Sequence, residues 1–236
     1  MIKNWNVPNF LTTLRVLAVP FFIYFLFEPD TTSHVIALVL FGFASVTDFV
    51  DGYLARRWKQ ETEFGKFLDP LADKALVLGA FITFIFLSPQ IQLWMVICII
   101  GRDLLITLLR SVAIRRGTSL RTSMFGKVKT AFQMFAIIVI LLSFLFVSYK
   151  ERKKINSIYE DSYDAGIDPL FVAIEHFSEF LDGNSQGFFY GLATFLPYTL
   201  MFVTTILTVI SGLRYVMTNY RLLVWWKPLP KKDDGK

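Results

Sequence analysis

The sequence predicts an all-α fold: a polytopic membrane protein of six transmembrane helices with a short interfacial amphipathic helix. Three observations carry that expectation. Of the 236 residues, 54% are hydrophobic, and the mean hydropathy is +0.51. Only 18% are charged, against about 25% in soluble domains, which is too little polar surface to cover the chain in water. Apolar runs of roughly 20 residues recur, each long enough to cross about 30 Å of hydrocarbon as a helix, whereas a membrane barrel would show alternating strands of about ten residues. A single membrane domain over 1–236 accounts for the whole, with an inserted external connection at about 149–188.

The first run, 9–27, follows Lys3 and has the look of a secretory signal, but Arg15 interrupts it and no small-residue cleavage site follows, so it reads as a retained span. The second, 34–55, comes after a loop that holds Glu28 and Asp30 and no basic residue. A basic loop at 56–66 (Arg56, Arg57, Lys59, Lys66) leads into the third, 68–88, and an uncharged turn leads into the fourth, 91–113. The segment 115–129, with Arg115, Arg116, Arg121, Lys127 and Lys129, precedes the fifth, 125–148. The sixth, 189–213, runs into a tail with six basic residues. Loops rich in Lys and Arg stay inside, so both termini and these basic segments are expected in the cytoplasm.

The 149–188 connection sits awkwardly with that rule, because Lys150, Arg152, Lys153 and Lys154 follow a span that should exit outward. Its eight acidic residues do not offset them, since acids count for little in setting topology. Leu170, Ala173, Ile174, Phe177 and Leu181 repeat at helical spacing opposite Glu175, Glu179 and Asp182. That pattern fits an amphipathic helix on the membrane surface; a surface helix with no specific role is the other reading.

Composition excludes several chemistries. A single Cys98 rules out an internal disulfide or a thiolate metal cluster. His34 and His176 alone do not make a histidine-ligated zinc or haem site. The net charge of +5 is spread between apolar spans rather than over one soluble face, which points to topology and anionic lipid and away from nucleic acid.

Nine charges lie within or near the ends of the spans: Arg15, Lys74, Arg102, Arg110, Asp48, Asp51, Asp69, Asp73 and Asp103. Each costs about 2.5–3.5 kcal/mol at mid-bilayer, so they must face one another, water or a bound ion. Asp48 and Asp51 share a helix face with Gly52 and Ala55, and Asp69 and Asp73, four apart, share a face of the next helix. The short turn at 57–68 makes those two helices antiparallel neighbours. Four converging carboxylates repel unless a cation sits among them. Oxygen-only ligands favour magnesium, manganese or calcium over zinc, and four acids suit two ions, the arrangement that clamps attacking and leaving oxygens in phosphoryl transfer. Buried salt bridges to Lys74, Arg56 or Arg102 are the alternative. Gly52 and Ala55 leave room for a flat group against the helix, or simply allow close helix packing.

Asp48-x-x-Asp51-Gly52-x-x-Ala55-Arg56, eight residues, then Gly65-x-x-x-Asp69-x-x-x-Asp73 resembles the signature of the CDP-alcohol phosphotransferase family without a departure. Eight residues at fixed spacing on consecutive helices form a specific pattern. Asn6-Val7-Pro8-Asn9-x-Leu11-Thr12-x-x-Arg15, Arg102-Asp103 with Arg110, and Gly126-Lys127-x-Lys129-Thr130 resemble the bacterial branch of that family that uses glycerol 3-phosphate. The resemblance covers 1–148 well and the last span loosely.

It implies a metal-dependent transfer of the phosphatidyl group from CDP-diacylglycerol to an alcohol, with release of CMP, at the cytoplasmic face of a bacterial inner membrane. By that similarity, Asp48, Asp51 and Asp69 ligate magnesium or manganese, two ions in all. Asp73 joins the metal site and acts as general base, Gly52 and Ala55 lie against the cytidine, and Arg56 contacts phosphate. A phosphorylated acceptor needs further cations, for which Arg110, Lys127 and Lys129 are the candidates, with Arg102 either in support or paired locally with Asp103. For Lys127 and Lys129 the competing reading is ordinary anchoring at the cytoplasmic surface. A homodimer is an expectation of the family. The same chemistry with inositol phosphate, serine or phosphatidylglycerol stands as an alternative. So does a cation transporter, although transport leads one to expect internal repeats, and the sequence shows none.

Overall fold

The computed structural model describes residues 7–58, 63–115 and 124–224, with side chains described at 10–47, 74–113, 126 and 128–220. All described elements are α-helices: α1 (Val7–Phe27), α2 (Thr31–Trp58), α3 (Glu63–Leu87), α4 (Leu93–Arg115), α5 (Met124–Phe146), α6 (Tyr149–Asp164), α7 (Pro169–Leu181) and α8 (Phe188–Val224). Six of them, α1–α5 and α8, fall on the six apolar runs. Among the described residues, Phe10–Phe27, Val128–Phe146 and Phe188–Tyr220 are long and apolar enough to cross a membrane, and Thr31–Thr47 and Lys74–Leu87 are shorter apolar helices.

The helices turn large apolar side chains outward and polar ones inward. Phe21, Phe86 and Leu108 are 59%, 73% and 65% exposed, while Thr204, Thr208 and Ser211 are at 1% or less. A water-soluble protein would reverse that distribution; this exterior is built for hydrocarbon. Inside, α1 packs on α2 and α3, α8 packs on α4, α5 and α7, and α2 packs on α5. Phe22 meets Phe41 with ring centroids 5.8 Å apart, and Phe84 meets Phe144 edge-on at 5.7 Å. Gly79 lets α3 approach α1 closely, since a Cβ there would lie 3.2 Å from Ile23 Cδ1.

The 149–188 connection holds two helices rather than the one expected. The first, α6, opens with a capping box: the Glu151 N–H donates to Ser148 Oγ at 3.3 Å and the Ser148 N–H donates to Glu151 Oε2 at 2.9 Å. The Ser148 hydroxyl, donating to the same carboxylate at 2.6 Å, and then the Ser148 N–H hold the Glu151 carboxyl below the usual carboxylate range. Its apolar stripe is thin, with only Ile155 and Tyr159 buried, which is why periodicity missed it. Asp168 caps α7 by accepting the Leu170 N–H at 2.8 Å, with Pro169 at the first helical position. Gly166 and Gly183 take φ of 73° and 74° where α6 and α7 end.

Together α6 and α7 close one end of the bundle. Asn156 donates to the Leu87 carbonyl at 3.0 Å, and Tyr159 Oη donates to the Thr194 carbonyl at 2.6 Å. Arg152 lies 3.3 Å from His34 Nε2, with its guanidinium 4.9 Å from the Phe144 ring centre. Part of the basic run is therefore a packing element, which accounts for a cation there that positive-inside counting does not. On α7, Val172 and Ala173 are buried, while Ile174, Phe177 and Leu181 remain exposed, so its apolar residues serve two faces rather than one.

Candidate active site

The backbones of Asp48 and Asp51 lie on α2 and those of Asp69 and Asp73 on α3, and the two helices pack against each other. The side chains of these four aspartates lie outside the described residues, as do those of Ala55, Arg56 and Lys127 and the surroundings of Gly52.

Next to the α3 pair, beginning at Lys74, a cavity of about 560 Å³ lies among α3, α4, α5 and α8. Its described walls carry four cations, Lys74, Arg102, Arg110 and Lys129, against one carboxylate, Asp103. Asp103 is the hub. Lys129 Nζ donates to its Oδ1 and Oδ2 at 2.6 and 2.7 Å, and Arg102 Nη1 donates to Oδ1 at 3.0 Å. The second guanidinium arm, Nη2, reaches Ser211 Oγ on α8 at 2.7 Å. Thr107 Oγ1 donates to the Asp103 carbonyl at 2.7 Å and receives a bond from Lys74 Nζ. One carboxylate thus ties α4 to α5 directly and to α8 through Arg102. Such charge-assisted bonds are about twice as strong as neutral ones.

The cations of the spans differ in burial, with Arg15 buried, Lys74 and Arg102 half-buried and Arg110 exposed. Arg15 is 1% exposed on α1, and Lys129 is 2% exposed, so Lys129 is not a surface anchor. Arg102 pairs locally with Asp103, one of the two roles foreseen for it. Arg110 lines the cavity from α4, is exposed, and has no ion-pair partner among the described residues. Sequence reasoning did not single out Thr107, Gln133 or Tyr215 in the same walls, nor Ser211, which holds Arg102 from α8. A signal was present on α8, where Thr204, Thr208, Ser211 and Tyr215 recur at helical spacing within an apolar run, the mark of an inward polar stripe.

Among its described walls the cavity has room and more cations than carboxylates, inside a helical bundle whose outside suits lipid. The fold therefore defines a helical membrane protein with a cation-lined cavity between its helices. The chain belongs to the CDP-alcohol phosphatidyltransferase family, whose model matches residues 5–159, and it is accordingly a transferase. It is similar to the "CDP-diacylglycerol--glycerol-3-phosphate 3-phosphatidyltransferase" of Haemophilus influenzae, 41% identical over 139 residues, which is 57% of this chain and 74% of that one. Proteins of the same description from Escherichia coli K12 and Pectobacterium atrosepticum are 41% and 38% identical over 140 and 144 residues. Those matches cover 57% and 58% of this chain and 75% and 78% of theirs.

Proposed function

We propose that this protein transfers the phosphatidyl group from CDP-diacylglycerol to glycerol 3-phosphate, giving phosphatidylglycerophosphate and CMP in phospholipid biosynthesis. The observation that carries the reading is the cationic cavity beside the α3 aspartates, on a chain similar to proteins whose descriptions name both substrates. A phosphorylated acceptor needs that positive charge, whereas serine would not.

In this reading Asp48, Asp51, Asp69 and Asp73 hold a divalent metal, magnesium or manganese, as two ions. The donor set is oxygen-only and supplied in pairs by two packed helices, which suits hard cations. Bound there, such ions supply charge neutralisation at the pyrophosphate and the leaving CMP. Gly52 and Ala55 lie along the cytidine, and Arg56 contacts its phosphates. Arg110, Lys127 and Lys129 receive the acceptor phosphate, with Arg110 the most available and Lys129 held in place by Asp103. Asp73, next in the chain to cavity-lining Lys74, takes the proton from the attacking hydroxyl.

Six helices, α1–α5 and α8, cross the bacterial inner membrane, with the cavity at the cytoplasmic end and α6–α7 outside. The exposed Ile174, Phe177 and Leu181 of α7 rest on the outer leaflet. The chain forms one membrane domain and works as a homodimer.

The test is CMP release by detergent-purified protein given CDP-diacylglycerol and magnesium, with glycerol 3-phosphate, inositol phosphate, serine and phosphatidylglycerol offered separately. Release with glycerol 3-phosphate alone, abolished by a chelator and lost in Asp69→Asn and Asp73→Asn variants that still insert, is the expected result. Release with a different acceptor would overturn the substrate assignment, and near-normal turnover in either variant would overturn the metal site.

A further inference from the structure

Among the described residues, three buried polar atoms of the cavity walls have no hydrogen-bond partner: Arg102 Nε on α4, whose guanidinium is already held through its other two nitrogens, Gln133 Nε2 on α5 and Tyr215 Oη on α8. Gln133 and Tyr215 are each 3% exposed. An unsatisfied buried group costs about 1–3 kcal/mol, and native proteins pair nearly all of theirs. Each also sits one helical turn beyond a member of the ionic network, Gln133 after Lys129 and Tyr215 after Ser211, and so shares its face. Thr208 Oγ1 is likewise buried and unpartnered, but Thr208 does not border the cavity.

We propose that Gln133 and Tyr215 hold the acceptor hydroxyl adjacent to the reacting one, so that the cavity selects a phosphorylated 1,2-diol; this rests on the acceptor reading given above. The chemistry of the pair matches an alcohol. An amide N–H only donates, whereas a phenol both donates and accepts. One alcohol oxygen accepts from Gln133 and gives its own proton to Tyr215, satisfying both groups at once. A phosphate has no such proton to give when ionised, and its charge is met by Arg110 across the same cavity. The position fits as well. Attack takes place toward the aspartates of α2 and α3, while α5 and α8 supply the other walls, where the part of the acceptor that does not react must lie.

The test compares two acceptors, glycerol 3-phosphate and 3-hydroxypropyl phosphate, which lacks only that hydroxyl. CMP release from CDP-diacylglycerol and magnesium is measured for the full chain in detergent, as wild type, Gln133→Met, Tyr215→Phe and Thr208→Val. Wild type is expected to favour glycerol 3-phosphate by about 100-fold or more in kcat/KM, because a site built around a hydroxyl rejects the analogue without it. Gln133→Met and Tyr215→Phe should each lower that ratio about tenfold through loss with glycerol 3-phosphate alone, and Thr208→Val should keep it. The ratio is internal to each preparation, so incomplete folding does not move it. Equal losses on both acceptors, or an unchanged ratio, would overturn the proposal and leave the acceptor reading standing. Absence of release by wild type with glycerol 3-phosphate would overturn both.

Discussion

Replacing Asp103 with asparagine keeps the side-chain volume and removes the one carboxylate among the described cavity residues. Lys129, 2% exposed, then loses a countercharge that touches it through two oxygens at 2.6 and 2.7 Å, and Arg102 loses one at 3.0 Å. Removing one partner of a buried ion pair costs about 3–5 kcal/mol. Two features place this case at the low end. The Asp103 side chain is 21% exposed, so water screens part of the interaction, and Arg102 retains Ser211. The expected loss is therefore about 3 kcal/mol, or roughly 6–12 °C in Tm for a chain of this length. Thermal unfolding in mild detergent, followed by tryptophan fluorescence, measures it directly. The double variant Asp103→Asn with Lys129→Met removes both charges of the pair and should lose less than the sum of the two single variants, since the two groups touch. A single variant melting within about 2 °C of wild type, or strictly additive losses in the double variant, would refute the claim that Asp103 and Lys129 stabilise the bundle as a pair.

Gly191→Ala should destabilise the α7–α8 corner, because a Cβ would lie 2.6 Å from Phe180 Cδ2 and 2.8 Å from Ser185 Cβ. Phe180 is hemmed in by Phe188 and Phe195, at 5.8 and 5.6 Å. Overpacking of about 1–3 kcal/mol then outweighs the roughly 1 kcal/mol alanine gains in a helix; faster proteolysis at 182–187 is the readout, and a variant as resistant as wild type would contradict it. Tyr159→Phe should cost about 1 kcal/mol by removing the bond to Thr194. Burial raises the Tyr159 phenol above its ordinary value, so its contribution is fully present below pH ~10 and is lost as pH rises through the folded value. Stability of the wild type should accordingly fall more steeply than that of Tyr159→Phe above pH ~10.

The long helices were legible because a bilayer forces each span into a run of apolar residues that no loop would carry. The resemblance in α2 and α3 was legible because a fixed spacing on a helix is also a fixed geometry. The cavity was half legible. Arg102 and Asp103 are neighbours in the chain, so their pairing could be foreseen, but the link from Asp103 to Lys129 exists only because α4 and α5 lie side by side, which spacing along the chain does not encode. Helix α6 escaped for the opposite reason. Its two buried residues give no visible apolar period, although Ser148 and Glu151 announced its first turn. Gln133 and Tyr215 look like ordinary polar residues until Gln133 Nε2 and Tyr215 Oη are seen to find no partner among the described residues.

The two-helix insert meets the bundle at the far ends of the helices that line the cavity, through Leu87, Phe144 and Thr194. Its turn at 165–168 is exposed throughout and touches none of the walls around Asp103. That turn is a natural handle. An epitope or a fluorophore grafted there would sit on one side of the membrane only, remote from the reacting groups, and would let orientation, copy number and assembly be read in living cells while the enzyme keeps working.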